Sequence, residues 1–257
     1  MQYSNSKLFY FSATGTTQKI VQEIGRGLGT EGSERDLLRE PLERMETVAA
    51  NSLAIVGMPV YGGRIPAHCA DMLKKLKGAN TPAIAVVAYG NRDYDDALLE
   101  LRDILSGNGF LVFAAGAFVA RHSLFPRVAA TRSDQNDLRA IAEFARQCDA
   151  KLKRMTGGEK PVQVKGESPY KQAVGVPLRP SADKRCNACG VCASACPTGA
   201  ISKENPPAKD KKRCISCAAC VAACPEQAMT FRGIPYRLFE SLFSWAFRAR
   251  REPQAFV

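Results

Sequence analysis

Eight of the ten cysteines in this 257-residue chain lie between positions 186 and 224, in two copies of one pattern. Cys186, Cys189, Cys192 and Cys196 follow the spacing C-x2-C-x2-C-x3-C and precede Pro197. Cys214, Cys217, Cys220 and Cys224 repeat it before Pro225, 28 residues later. The repeat runs on past the cysteines, PTGAIS (197–202) against PEQAMT (225–230). Three thiolates at successive x2 spacings can wrap a tight loop around one face of an iron–sulfur cubane. The fourth, three residues on, is expected to open a short helix that carries it across to a second cluster. Zinc sites instead pair two C-x2-C hooks or recruit histidine, and neither His68 nor His122 is near in sequence. Cys69 and Cys148 stand apart from both groups.

A disulfide framework belongs to oxidising compartments. The N-terminal MQYSNSKLFYFSATG has an apolar run too short for a signal-peptide core. No stretch of eighteen apolar residues offers a bilayer span. The expected compartment is therefore the cytoplasm, and the expected state of the thiols is reduced. At 46% hydrophobic and 24% charged residues, the chain is neither disordered nor collagen-like. The net charge of +11 raises the question of nucleic acid. Its distribution argues against that partner. Residues 1–155 carry 20 Lys+Arg against 17 Asp+Glu, whereas residues 156–257 carry 16 against 8. Two clusters with their thiolates, each roughly −2, would cancel about half of that excess. The basic run Lys209, Lys211, Lys212, Arg213 then reads as a solvated loop beside an anionic group.

The elements that must position such a centre come first in the chain. KLFYF (7–11), LAIVG (53–57), AIAVVA (83–88) and LVFAAGAFVA (111–120) read as strands, with a weaker one near 35–38. Helical patterns alternate with them at 16–29, from Pro66 to about 77, at 95–105 and at 134–155. Ser133 is the expected cap of the last, with Leu138, Ile141, Ala142, Ala145 and Cys148 near one face. The alternation predicts a doubly wound parallel sheet. Ligands of such sheets bind beyond the carboxyl ends of the strands. The loop there after the first strand, Ser12–Thr17 (SATGTT), is rich in hydroxyls and opens a helix, so it suits a phosphate. It lacks both the G-K-[ST] of a Walker loop and the dinucleotide G-x-G-x-x-G.

Together with MPVYGGRIP (58–66) and AYGNRDYDD (88–96), this loop resembles the three flavin-contacting loops of flavodoxins. The resemblance implies FMN. Ser12, Thr14, Gly15, Thr16 and Thr17 would hold its phosphate. Pro59, Tyr61, Gly62, Gly63, Tyr89, Gly90 and Tyr94 would border the isoalloxazine, with Tyr61 and Tyr94 in the two aromatic places. Residues 183–232 are similar to a bacterial-type ferredoxin with two [4Fe–4S] clusters. That resemblance assigns Cys186, Cys189, Cys192 and Cys224 to one cluster and Cys214, Cys217, Cys220 and Cys196 to the other. In flavodoxins a glycine at the place of Gly62 turns its peptide toward flavin N5. Arg64, next to Gly63, is expected to ease full reduction of the ring, with Asp93, Asp95 and Asp96 opposing it. The stretch 120–132 is longer than a minimal flavodoxin needs. For Arg121, His122 and Ser123 on it, an ordinary surface loop is the expectation.

The whole reads as a flavodoxin-like α/β domain (1–155), a linker (156–182), a small α+β ferredoxin-like domain (183–232) and a C-terminal amphipathic tail (233–257). The expected function is intracellular electron transfer between the clusters and FMN, to or from a redox protein. The alternatives are an FMN-dependent reductase of a small organic substrate, and a nucleic-acid-binding protein using its clusters structurally. In the tail, Phe239, Leu242, Phe243, Ala246 and Phe247 recur at helical spacing, widened by Leu238 and Trp245. The first expected cover for that face is the chain's own domains, then a partner or homodimer, then an anionic membrane surface.

Overall fold

The long apolar runs become the middle of one sheet. Ser52–Pro59 (β4), Thr81–Tyr89 (β6) and Phe110–Val119 (β7) are buried along their whole length, as strands covered on both faces must be. The computed structural model describes every residue except 1, 2, 4, 30, 31 and 207. In it these strands join Asn5–Tyr10 (β1) and Gly32–Asp36 (β2) in the order β2-β1-β4-β6-β7, all parallel. Helices Thr16–Gly27 (α1), Ala67–Leu73 (α2), Ala97–Gly107 (α3) and Gln135–Arg154 (α4) fill the crossovers. Ile20 and Val21 of α1 and Phe144 and Cys148 of α4 cover one face of the sheet. Cys69 and Met72 of α2 and Leu98 and Leu101 of α3 cover the other.

Three expectations about this half need correction. Helix α2 stops at Leu73, because Leu76–Gly78 (β5) pairs with Glu46–Val48 (β3) as a small parallel pair; Pro66 sits just before the helix. The cap of α4 is Asp134, not Ser133. Its carboxylate accepts from the N–H groups of Asn136 (3.0 Å) and Asp137 (3.1 Å) in a capping box. Ala142 faces solvent, and Phe144 takes the buried position instead.

In the cysteine-rich half the duplication is written into the backbone. Left-handed φ values occur at Ala188 and Ser216, at Gly190 and Ala218, and at Gly199 and Gln227, each pair 28 residues apart. The short helices Val191–Ser194 (α5) and Ala219–Ala222 (α6) contain the third cysteine of each copy, and the fourth follows the helix rather than opening it. Ser181–Ala182 (β8) and Met229–Thr230 (β9) close this unit as an antiparallel pair. Its apolar core is small: Cys192, Ala193, Ile201, Cys220 and Met229.

The segment between the halves is a strap. Val162 N–H donates to the Val112 carbonyl (2.8 Å), and Asp96 accepts from the N–H groups of Glu167 (2.9 Å) and Lys171 (2.8 Å). The tail is also tied down. Helix Ile234–Ala246 (α7) sets Tyr236 and Phe243 against Leu124, Phe125, Val128 and Leu178. Beyond it, Asn91 holds the carbonyls of Phe247 (2.7 Å) and Ala249 (2.8 Å), and Gln254–Phe256 (β10) adds an antiparallel sixth strand beside β7. The helix thus packs on the chain, as expected, but through a narrower face. Phe239, Leu242, Leu238 and Trp245 remain exposed, and so does Ala246.

Candidate redox site

The loops after β1, β4 and β6 meet at the carboxyl end of the sheet and enclose a cleft of about 680 Å³, a volume that suits a flavin-sized ligand. At one end lie Thr14, Thr16 and Thr17, where α1 begins. Ser12 is buried beneath, its Oγ accepting from Gln18 N–H at 3.1 Å. Gly15 caps α1 with φ +81°. The loop carries hydroxyls and helix N–H groups but no lysine or arginine, which is a fitting donor set for a phosphate.

Pro59, Tyr61, Gly62, Gly63, Tyr89 and Gly90 line the rest of the cleft. Gly62 (φ +62°) is pressed against the strap. A Cβ there would come within 2.4 Å of the Val174 carbonyl, and its own carbonyl accepts from Val174 N–H at 3.3 Å. Gly90 makes room for an imidazole, since a Cβ would fall 2.4 Å from the His122 ring. Two expected residues behave differently. Tyr94 turns away from the cleft, 1% exposed in the core, with its hydroxyl on Gln254 and its ring edge-on to Tyr89. The reason is β10, which supplies Gln254 beneath the third loop. Arg64 also lies outside the cleft. Its guanidinium grips Glu100 of α3 at 2.7 and 2.6 Å and stacks on Tyr170. Its charge is thus compensated. Asp93 and Asp95 do line the cleft but pair with Lys165 (3.1 Å) and with Arg92 and Lys171. Asp96 serves the strap.

Residues 120–125, expected to be an ordinary surface loop, form a wall of the cleft. Here His122 is built in as a neutral group. Burial pushes its pKa down to about 4, and Nδ1 accepts from the N–H groups of Leu124 (3.1 Å) and Phe125 (3.2 Å). Phe125 and Phe243 pack on its ring.

The eight clustered cysteines line two further cavities. Cys186, Cys189, Cys192 and Cys224 surround one, and Cys196, Cys214, Cys217 and Cys220 the other. The crossing of the fourth cysteine is therefore present in the backbone path, and each set offers four thiolates around a hollow, the donor set of a cubane. Lys209 is not a solvated loop residue. It is half-buried, lines the second cavity and reaches Met229 Sδ at 3.0 Å.

The second cavity and the cleft share a wall. Cys214, Ile215 and Ser216 line both. Burial, with the nearby Cys217 and Cys69 thiols, raises the Tyr61 hydroxyl well above its usual pKa. Ser216 is fixed there by Leu178 and Arg179, its Oγ donating to the Leu178 carbonyl at 2.7 Å and lying 2.6 Å from Arg179 Nη1. The sequence carries no sign of this junction, because Leu178 and Arg179, which hold Ser216, belong to no motif. A bound flavin supplies one- or two-electron chemistry, and clusters pass single electrons.

The flavodoxin family model matches residues 8–138, and a 4Fe-4S dicluster domain model matches residues 185–229. No curated protein matches the chain. Among solved structures, a flavodoxin from the domain Archaea is 13% identical with a TM-score of 0.42, over 58% of this chain and 99% of that one. The flavodoxin of Streptococcus pneumonia TIGR4 is 18% identical with the same score and coverage. The rubredoxin oxygen:oxidoreductase of Desulfovibrio gigas is 14% identical with a TM-score of 0.41, over 60% of this chain and 37% of that one. The family models carry the assignment: the chain belongs to the flavodoxin family and bears a 4Fe-4S dicluster ferredoxin domain, an electron-transfer protein of FMN and [4Fe–4S] clusters.

Proposed function

We propose that the cluster held by Cys214, Cys217, Cys220 and Cys196 exchanges electrons directly with the flavin. The cluster held by Cys186, Cys189, Cys192 and Cys224 is the outer station, met by a redox protein partner. One observation carries this order: Cys214, Ile215 and Ser216 form a wall common to the inner cavity and the cleft. The outer cavity has an exposed cysteine, Cys189, at its rim, which suits contact with a partner. The strap over Gly62 supports a carrier rather than a reductase of small substrates, since Lys171–Val176 occupies a side from which a substrate would approach. The cytoplasm is the fitting compartment, where thiolate ligands stay reduced.

Anaerobic flash reduction of the holoprotein tests the order. In Cys189→Ala, which removes an outer ligand, exchange between the inner cluster and flavin should be retained. Reduction of an external protein acceptor or donor should slow by about tenfold or more. Loss of the flavin exchange in this variant, with the inner cluster intact, would overturn the order.

A further inference from the structure

Helix α7 has two apolar faces, and only one is used. Tyr236 and Phe243 point inward with Glu240, whose carboxylate meets the Tyr236 hydroxyl at 3.3 Å. On the outside, Ile234, Leu238, Leu242 and Trp245 are 83%, 59%, 57% and 68% exposed. At about 100° per residue these four fall within one arc of about 80°, and Phe239, 49% exposed, flanks it. Soluble surfaces rarely leave a contiguous stripe of large apolar side chains uncovered.

The stripe has a basic border. Arg237, Ser241 and Arg248 follow one edge of it, all exposed, and the Arg248 guanidinium lies 5.4 Å from the centre of the Trp245 ring. Next to this edge, Arg127, Arg232 and Arg237 surround an open basin of about 480 Å³ with Phe231, Tyr236, Ser241 and Glu240. Glu240 is the only acid in that lining and is buried at 9% exposure. Across residues 156–257, Lys+Arg outnumber Asp+Glu by 16 to 8, an excess that two clusters would halve and leave positive. No helix among the described residues is long and apolar enough to cross a membrane.

We infer that α7 docks this protein in the plane of an anionic lipid bilayer. Ile234, Leu238, Leu242 and Trp245 enter the acyl boundary, and Arg237, Arg248 and the arginine basin meet lipid phosphates. An apolar stripe and a cationic border together are the two signals that stable membrane anchoring takes. Charge decides between this occupant and a second copy of the chain. A copy seated on the stripe would bring its own Arg237 and Arg248 to a border with no exposed acid on α7 to receive them. Anionic headgroups supply the missing charge.

Trp245 is the only tryptophan in the chain and lies in the stripe, so its emission reports docking directly. The holoprotein is mixed anaerobically with vesicles of phosphatidylcholine alone or of phosphatidylcholine with phosphatidylglycerol. The expected result is a blue shift and co-sedimentation with the anionic vesicles, at least about tenfold tighter than with neutral ones and weakened by salt. Leu238→Glu with Leu242→Glu should abolish binding, with flavin and cluster spectra unchanged. Arg237→Glu with Arg248→Glu should erase the preference for anionic lipid. Equal binding to both vesicles, or none to either, overturns the inference. So does a blue shift that grows with protein concentration in the absence of lipid, which would assign the stripe to self-association.

Discussion

The two cysteine motifs, RCNACGVCASACP and RCISCAACVAACP, share their cysteine spacing, seven of thirteen residues and their left-handed backbone positions, yet they end in different surroundings. In the first, Ala188 and Cys189 are exposed; at the equivalent places of the second, Ser216 and Cys217 are buried. The difference comes from outside the motif. Ile215 packs against the flavodoxin core, and Ser216 is held by Leu178 and Arg179 of the strap. A duplicated motif thus fixes what is bound, and the neighbouring domain fixes what each copy can reach.

The largest effect that would sharpen this comparison is removal of iron. The flavodoxin half has two extensive apolar layers, whereas the apolar core of the ferredoxin half is five residues, two of them cysteines. A unit with so little core depends on its metal for folding. Anaerobic chelation should therefore expose the amides of 185–229 to rapid hydrogen exchange while β4, β6 and β7 stay protected. Simultaneous loss of protection in both halves would contradict this.

A smaller effect separates the two cavities by pH. His122 anchors the wall on which α7 rests, and only its neutral form can accept from Leu124 and Phe125. Its pKa is depressed by burial to about 4 from an ordinary value of 6.5. Folding therefore selects the unprotonated ring. Its contribution is complete above pH 6.5 and is lost as pH falls from there toward about 4. Oxidative bleaching of the inner cluster, slow at neutral pH, should approach the outer cluster's rate across that window. In His122→Asn, whose amide oxygen can accept the same bonds, the ratio of rates should stay flat.

The smallest effect is electrostatic. Lys209 lines the inner cavity, not the outer, and a nearby cation favours the more negative reduced cluster. Lys209→Met should lower the inner potential by about 60 mV, the one-electron equivalent of about 1.4 kcal/mol, and move the outer potential less. Equal shifts in an anaerobic redox titration would remove the asymmetry.

Much of this was legible in the sequence, for physical reasons. Buried parallel strands announce themselves as apolar runs, and four thiols at cubane spacing admit few other readings. Of the family's loop residues, Thr14, Thr16, Thr17, Pro59, Tyr61, Gly62, Gly63, Tyr89 and Gly90 line the cleft, whereas Ser12 is buried beneath it and a distant segment draws Tyr94 away. Tyr94 leaves the cleft for a reason with no sequence signal, since the three residues Gln254–Phe256 form an edge strand too short to show a period. Arg64 is compensated by Glu100, 36 residues away in sequence, a pairing that no local pattern announces. The strap left no pattern because its order comes from backbone bonds to Asp96 and Gly62, not from its own side-chain spacing.

The order of the centres is tested most directly by the magnetic relaxation of one-electron-reduced flavin beside reduced clusters, in samples lacking one cluster at a time. With the outer cluster removed through Cys189→Ala, the inner cluster should still accelerate relaxation strongly. With the inner cluster removed through Cys217→Ala, the acceleration should collapse. Strong acceleration in Cys217→Ala and none in Cys189→Ala would contradict the account.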